Sequence, residues 1–145
     1  MAGGAHAVDL AQRLIRCPSV TPAEGGALDL LEAELSVIGF ACTRLPFGEG
    51  SARIDNLFAR YGDTSPHLCF AGHTDVVPVG DAAAWQHDPF GGTVVDGKLF
   101  GRGAADMKGG VACFISALKE FLSENKDPSF NIMVLLNSNE EGKLE

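Results

Sequence analysis

Asn131-Ile132-Met133-Val134-Leu135-Leu136, followed at once by Asn137-Ser138-Asn139-Glu140-Glu141, is the stretch on which the fold turns. A short, near-continuous apolar run closed by polar residues reads as a central strand buried on both faces. A second stretch has the same form, with Leu68-Cys69-Phe70-Ala71 leading into Gly72-His73-Thr74-Asp75. Between them, Gly109 to Leu122 sets Val111, Phe114, Ile115, Leu118, Phe121 and Leu122 on one helical face. A strand, a connection holding a helix, and another buried strand predict an α/β fold, its mixed, partly parallel sheet flanked by helices. Ligands of such sheets gather beyond the carboxyl ends of the strands. If the two strands run parallel, an imidazole and several carboxylates meet at one edge.

Outward from this pair the periods are short. Val8 to Ile15 has helical spacing and stops ahead of Pro18, which disfavours helix at Cys17. Ala27 to Ile38 repeats the pattern through Leu28, Leu31, Leu35 and Ile38, with Gly39 as the residue after the cap. Ala41 to Leu45 and Leu57 to Arg60 read as strands. Thr93 to Val95 and Lys98 to Phe100 flank Asp96-Gly97, a tight hairpin turn.

Composition narrows the function. The 145 residues carry 11 Lys+Arg against 19 Asp+Glu, a net charge of −8, with 46% hydrophobic residues. A chain of this size buries roughly 68–70% of its unfolded surface and needs no metal or disulfide merely to fold. The acidic balance argues against nucleic acid, which demands a basic face. The hydrophobicity argues against disorder, and the longest apolar run is far short of the roughly 20 residues of a membrane helix. Met1 to Ala7 has neither the basic nor the apolar part of an export signal, so a cytoplasmic location is expected. Cys17, Cys42, Cys69 and Cys113 form no CxxC pair and are expected as reduced, structural thiols. Cys69 and Cys113, inside apolar runs, should behave as small hydrophobes.

Three segments carry candidate chemistry. His73-Thr74-Asp75 follows a strand, and alternation places His73 and Asp75 on one side. A metal-bound histidine needs an acceptor on its other nitrogen, which Asp75 offers; a plain turn with a capping Asp explains the same letters. Gly101-Arg102-Gly103-Ala104-Ala105-Asp106-Met107-Lys108-Gly109-Gly110 opens a helix, and its glycines imply close backbone approach. It lacks the Ser or Thr of a Walker phosphate loop, and Asp106 would repel phosphate. Asp106 is therefore a cation ligand or the N-cap of the helix that follows. Glu140-Glu141 is either a solvated acidic loop or a pair dividing metal binding from proton transfer.

Together these strings resemble the zinc-dependent amidohydrolases that group with carboxypeptidase, aminoacylase, acetylornithine deacetylase and succinyl-diaminopimelate desuccinylase. The supporting strings are Arg16 to Pro22, Phe70 to Asp81, Trp85, Pro89-Phe90, Asp96 to Gly109 and Glu140-Glu141-Gly142. The spacing from Val79-Gly80-Asp81 to Trp85, with Gly103-Ala104-Ala105-Asp106, favours the desuccinylases of lysine biosynthesis. The resemblance implies two zinc ions, with cobalt able to substitute. In it His73 and Glu141 each bind one metal, Asp106 bridges both, Asp75 orients His73, and Glu140 is the general base. His6, His67 and His87 match no ligand of the family, and no substrate-binding residue is assigned.

The implied reaction is hydrolysis of the amide of N-succinyl-LL-2,6-diaminopimelate. Acetylornithine or dipeptide-type amidohydrolysis, or a non-catalytic interaction module, are the alternatives. The resemblance also implies a small N-acyl amino acid as partner, no nucleic acid or membrane, and a homodimer for the whole protein. Family members continue well past Glu145 with another acidic ligand, a second ligand histidine and a lid and dimerisation domain. Residues 1–145 are thus expected to be the N-terminal portion of a catalytic domain, inactive alone, with Gly142-Lys143-Leu144-Glu145 marking a truncation point and Asn131 to Leu136 at risk of lying on an exposed edge.

Overall fold

The computed structural model describes residues 2–50 and 53–142, so the expectation for the chain end lies, except for Gly142, outside the described residues. Helix α1 (Ala2–Ile15) is one-sided, with Leu10, Ala11, Leu14 and Ile15 buried. It begins earlier than the apolar spacing indicates, and the added part carries His6, whose Nδ1 lies 2.7 Å from the Ser116 hydroxyl, a polar contact that apolar spacing does not report. Helix α2 (Ala27–Val37) buries Ala27, Leu28, Leu31 and Leu35. Its first turn is capped by Glu24, whose carboxylate accepts from the Gly26 and Leu28 N–H groups at 3.0 and 3.1 Å. Its end is a Schellman motif: Gly39 at φ 96° donates to Ser36 O, and Phe40 donates back to Leu35 O.

Strands β1 (Ala41–Arg44), β2 (Asn56–Tyr61), β3 (His67–His73) and β6 (Asn131–Asn137) form one sheet in the order β1-β2-β6-β3. A separate hairpin, β4 (Thr93–Val95) and β5 (Lys98–Phe100), turns through Asp96 at φ 49° and Gly97 at φ 74°. Both left-handed values are those the dipeptide predicts. Helix α3 (Gly109–Glu124) crosses from the hairpin region back to β6. β3 and β6 are parallel, with His73 opposite Asn137, and the β1–β2 and β2–β6 pairs are antiparallel. The sheet is therefore mixed and partly parallel, as expected.

Two expectations for Asn131 to Leu136 are corrected. β6 is an interior strand, paired on both sides, so it is β3 that forms the sheet edge there. Nor is β6 buried on both faces. Ile132, Val134 and Leu136 enter the core with Leu57 and Ala59 of β2 and residues of all three helices, whereas Leu135 on the opposite face is 38% exposed. The described helices line one face only, and a solid apolar run conceals that asymmetry. The cysteine reading shifts as well: all four thiols are free, but Cys69 and Cys113 are exposed and only Cys17 and Cys42 are half-buried. Cys69 lies on the uncovered side of β3, paired in register with Met133.

Candidate metal centre

The site lies where β3 and β6 end side by side. Their pairing runs one residue past the sheet, with Thr74 N–H donating to Asn137 O at 2.9 Å, and then the two chains part. The gap is bridged by Asp75, whose fully buried carboxylate accepts from Glu140 N–H at Oδ1 and Glu141 N–H at Oδ2, both at 3.0 Å. A carboxylate with two backbone donors is well compensated for burial. The segment following α1 closes the other flank: Thr21 N–H donates to Val76 O, Val76 N–H to Ser19 O, and the Ser19 hydroxyl to Thr74 O at 2.6 Å. Thr21 adds a hydroxyl bond to Asn139 Oδ1 at 2.6 Å. The Ser19–Thr21 string thus acquires a place in the site that its letters did not reveal.

The glycine-rich segment supplies the third wall. Gly103 sits at φ 80°, and a Cβ there would lie 2.6 Å from Val76 Cγ1, so the turn rests directly on the chain that follows β3. This is the close approach that the glycines require. A wide turn, Ala104–Lys108, then leads into α3, with Asp106 in extended and Met107 in other non-helical backbone and their peptide bond cis. Asp106 does not cap α3, which has no side-chain cap, and that alternative falls. Instead Asp106 Oδ1 lies 3.0 Å from His73 Nε2, while Met107 Sδ receives the His73 N–H at 3.4 Å.

His73 is nearly buried, and its two nitrogens face different partners. Nδ1 is 3.1 Å from the Asp75 backbone carbonyl, which can only accept, so Nδ1 carries the proton. The Asp75 carboxylate is 3.7 Å from Nδ1, too far for a hydrogen bond, being turned toward the Glu140 and Glu141 amides. The remaining nitrogen, Nε2, faces Asp106 Oδ1 at 3.0 Å and Glu140 Oε2 at 3.9 Å. Ligand atoms of His73, Glu140 and Glu141 lie within 4.8 Å of one another. Burial pulls the imidazole down, but the Asp75 carbonyl and the Asp106 carboxylate outweigh it and hold His73 above the ordinary histidine value. A lone pair aimed at two carboxylates demands a cation between them, a proton or a metal. One imidazole with several carboxylate oxygens is a donor set that zinc and its neighbours accept, so the residues present fit a metal.

All five residues picked from sequence therefore converge: His73, Asp75, Asp106, Glu140 and Glu141. The other histidines lie elsewhere, His6 against Ser116, His67 against Asn131 and His87 against the Phe100 ring. Lys108, fully buried beneath the Asp106 turn, went unread in the sequence, because nothing in a Met-Lys-Gly-Gly string announces that a lysine is inside. A cleft lined by Val76, Arg102, Ala105, Asp106 and Glu141 opens onto the centre.

A family model for "Peptidase family M20/M25/M40" matches residues 69–144, just over half of the chain, and the chain belongs to that family. It is 61% identical over 136 residues to a succinyl-diaminopimelate desuccinylase of Rhodospirillum centenum, covering 93% of this chain and 35% of that protein. It is 58% identical over 137 residues to the Rhodopseudomonas palustris protein of the same name, again covering 93% and 35%. Human carnosine dipeptidase 1 superposes with a TM-score of 0.83 at 26% identity, over 97% of this chain and 34% of the other. The chain thus spans about a third of the length of the curated relatives it matches. Among the described residues no helix is long and apolar enough to cross a membrane.

Proposed function

We propose that this chain supplies the first part of a two-metal amidohydrolase centre whose whole protein hydrolyses N-succinyl-LL-2,6-diaminopimelate to succinate and LL-diaminopimelate. The observation that carries the reading is the meeting of His73, Asp106, Glu140 and Glu141 around an imidazole lone pair that, among the described residues, has no cationic side chain against it, in a chain 53–61% identical to desuccinylases. His73 and Glu141 would each hold one zinc, with Asp106 between them. When bound, zinc would polarise the amide carbonyl and lower the pKa of the attacking water. Glu140, more than half exposed beside the centre, takes the water's proton and returns it to the leaving nitrogen as the C–N bond breaks. Asp75 keeps Glu140 and Glu141 at the strand end through their amides and keeps His73 in its Nδ1–H form through its own carbonyl.

Residues 1–145 are in this reading the N-terminal portion of the catalytic domain. The remaining ligands, the substrate grip and the dimer contact come from sequence that the longer relatives possess. We place the protein in the cytoplasm, where four free thiols stay reduced. Zinc titration by calorimetry, beside an assay for succinate release, tests the proposal. The 145-residue chain should bind zinc weakly and turn over no substrate. Turnover at the rate of a whole enzyme would sink the half-site reading. A dipeptidase activity is favoured by the carnosine dipeptidase superposition alone, and a panel of dipeptides against N-succinyl amides given to the whole protein separates the two.

A further inference from the structure

We infer that Lys108 is a positioning residue that sets Asp106 in place by clamping the glycine-rich turn to the carbonyl end of α1. The inference rests on the reading of Asp106 as a metal ligand. Lys108 is fully buried, and its Nζ donates to Leu14 O at 2.9 Å and to Cys17 O at 2.7 Å. Leu14 belongs to the last turn of α1, at the negative end of the helix dipole, and its carbonyl accepts the Lys108 ammonium beside the Cys17 N–H at 3.1 Å. The backbone of the same residue closes the turn, with Lys108 N–H donating to Gly103 O at 2.9 Å. Its aliphatic stem runs under Gly103, where an added Cβ would lie 3.3 Å from Lys108 Cδ.

Asp106 itself is poorly held. Its side chain is 77% exposed, and its hydrogen bond goes to His73, the group it must share with a cation. Its location is therefore set by its backbone, and the anchor of that backbone is two residues away. A buried ammonium is expensive to desolvate, and an apolar side chain of the same length would fill the volume without that cost. What the methylenes of such a side chain lack is a directed grip on two carbonyls, which fixes the turn against α1 rather than merely packing it.

The variant Lys108→Met keeps the volume and removes the grip, and Lys108→Gln keeps one shortened donor. In the 145-residue chain Lys108→Met should weaken zinc binding roughly tenfold or more by calorimetry, with Lys108→Gln between it and the parent. Leu122→Ala, at the far end of α3, is the control: it should lower the melting temperature and leave zinc affinity unchanged. A Lys108→Met protein that binds zinc as the parent does, or loses affinity only as Leu122→Ala does, overturns the assignment. If Lys108→Met does not fold, Lys108→Gln carries the same comparison. A parent chain that binds no zinc would defeat the metal reading, and positioning is then read without metal. Amide exchange of Met107 to Gly110 must quicken in the lysine variants by at least about tenfold more than that of β6, and equal rates overturn the inference.

Discussion

Two of the charged groups among the described residues are built on opposite plans. Around Glu34 of α2, the carboxylate meets Arg13 at 2.6 Å, His6 at 3.4 Å and Lys119 at 3.9 Å, so α1, α2 and α3 are tied together through one acid. Burial raises the Glu34 carboxyl, but the Arg13 hydrogen bond and charge overcome it and hold it below the ordinary value. Around His73 the arrangement is inverted. Several acids surround one imidazole, and the nearest buried cation, Lys108, spends its protons on Leu14 O and Cys17 O. The first group closes its own charge balance and serves cohesion. The second gathers its acids around one imidazole, and the proposed metal binding rests on that imbalance.

The sharpest way to break the contrast is Asp106→Ala. It should reduce zinc affinity about a hundredfold, measured by calorimetry, while Glu34→Gln leaves it untouched; equal effects would erase the distinction. Next in size, Asp75→Asn puts an amide N–H against one of two backbone donors and should cost about 2–3 kcal/mol in urea unfolding. It should also loosen zinc binding, since Glu140 and Glu141 lose a fixed anchor. Glu34→Gln, by contrast, should cost about 1–2 kcal/mol of stability through the loss of a half-buried ion cluster.

The smallest effect separates the two regions by the sign of their pH dependence. His73 is held above its unfolded value near 6.5, so in metal-free protein its contribution is full below about pH 6.5 and fades as pH rises through the folded value. Glu34 is held below its unfolded value near 4.3, so its contribution is present above about pH 4.3 and is lost as pH falls through the folded value. Urea midpoints from about pH 2 to 8 should show the neutral-side slope vanish in His73→Gln and the acid-side slope, below about pH 4.3, flatten in Glu34→Gln. Saturating zinc should reverse the first slope, because metal and proton compete for Nε2.

The sequence made the elements legible because each has a local cause: Pro18 beyond α1, Gly39 after α2, Asp96-Gly97 in the hairpin. The candidates His73, Asp75, Glu140 and Glu141 were legible because strand ends are where such folds gather ligands, whereas Asp106, in a turn ahead of α3, was singled out as a ligand by the family resemblance. Three features were not legible, and each is a long-range fact. That Leu135 is left outside depends on which face the helices choose. Asp75 binding the amides of Glu140 and Glu141, rather than the imidazole, depends on where β3 and β6 stop pairing, and joins residues 65 positions apart. The burial of Lys108 depends on carbonyls 91 and 94 residues earlier. Residue type announces what a side chain can do, and only packing decides what it meets.

The parallel register of β3 and β6 also bears on the order in which the molecule comes together. His73 and Asp106 stand 33 positions apart, and the Asp75 clamp on Glu140 spans 65. Each such closure is entropically uphill until the sheet itself exists. An unfolded chain therefore presents a metal with little beyond the neighbouring carboxylates at Glu140 and Glu141. Under the proposed reading the metal's ligands come together only when β6 lies between β2 and β3, so metal would not nucleate this fold. A metal bound there would favour the native state over the unfolded one and would act as a brake on unfolding rather than a guide to folding.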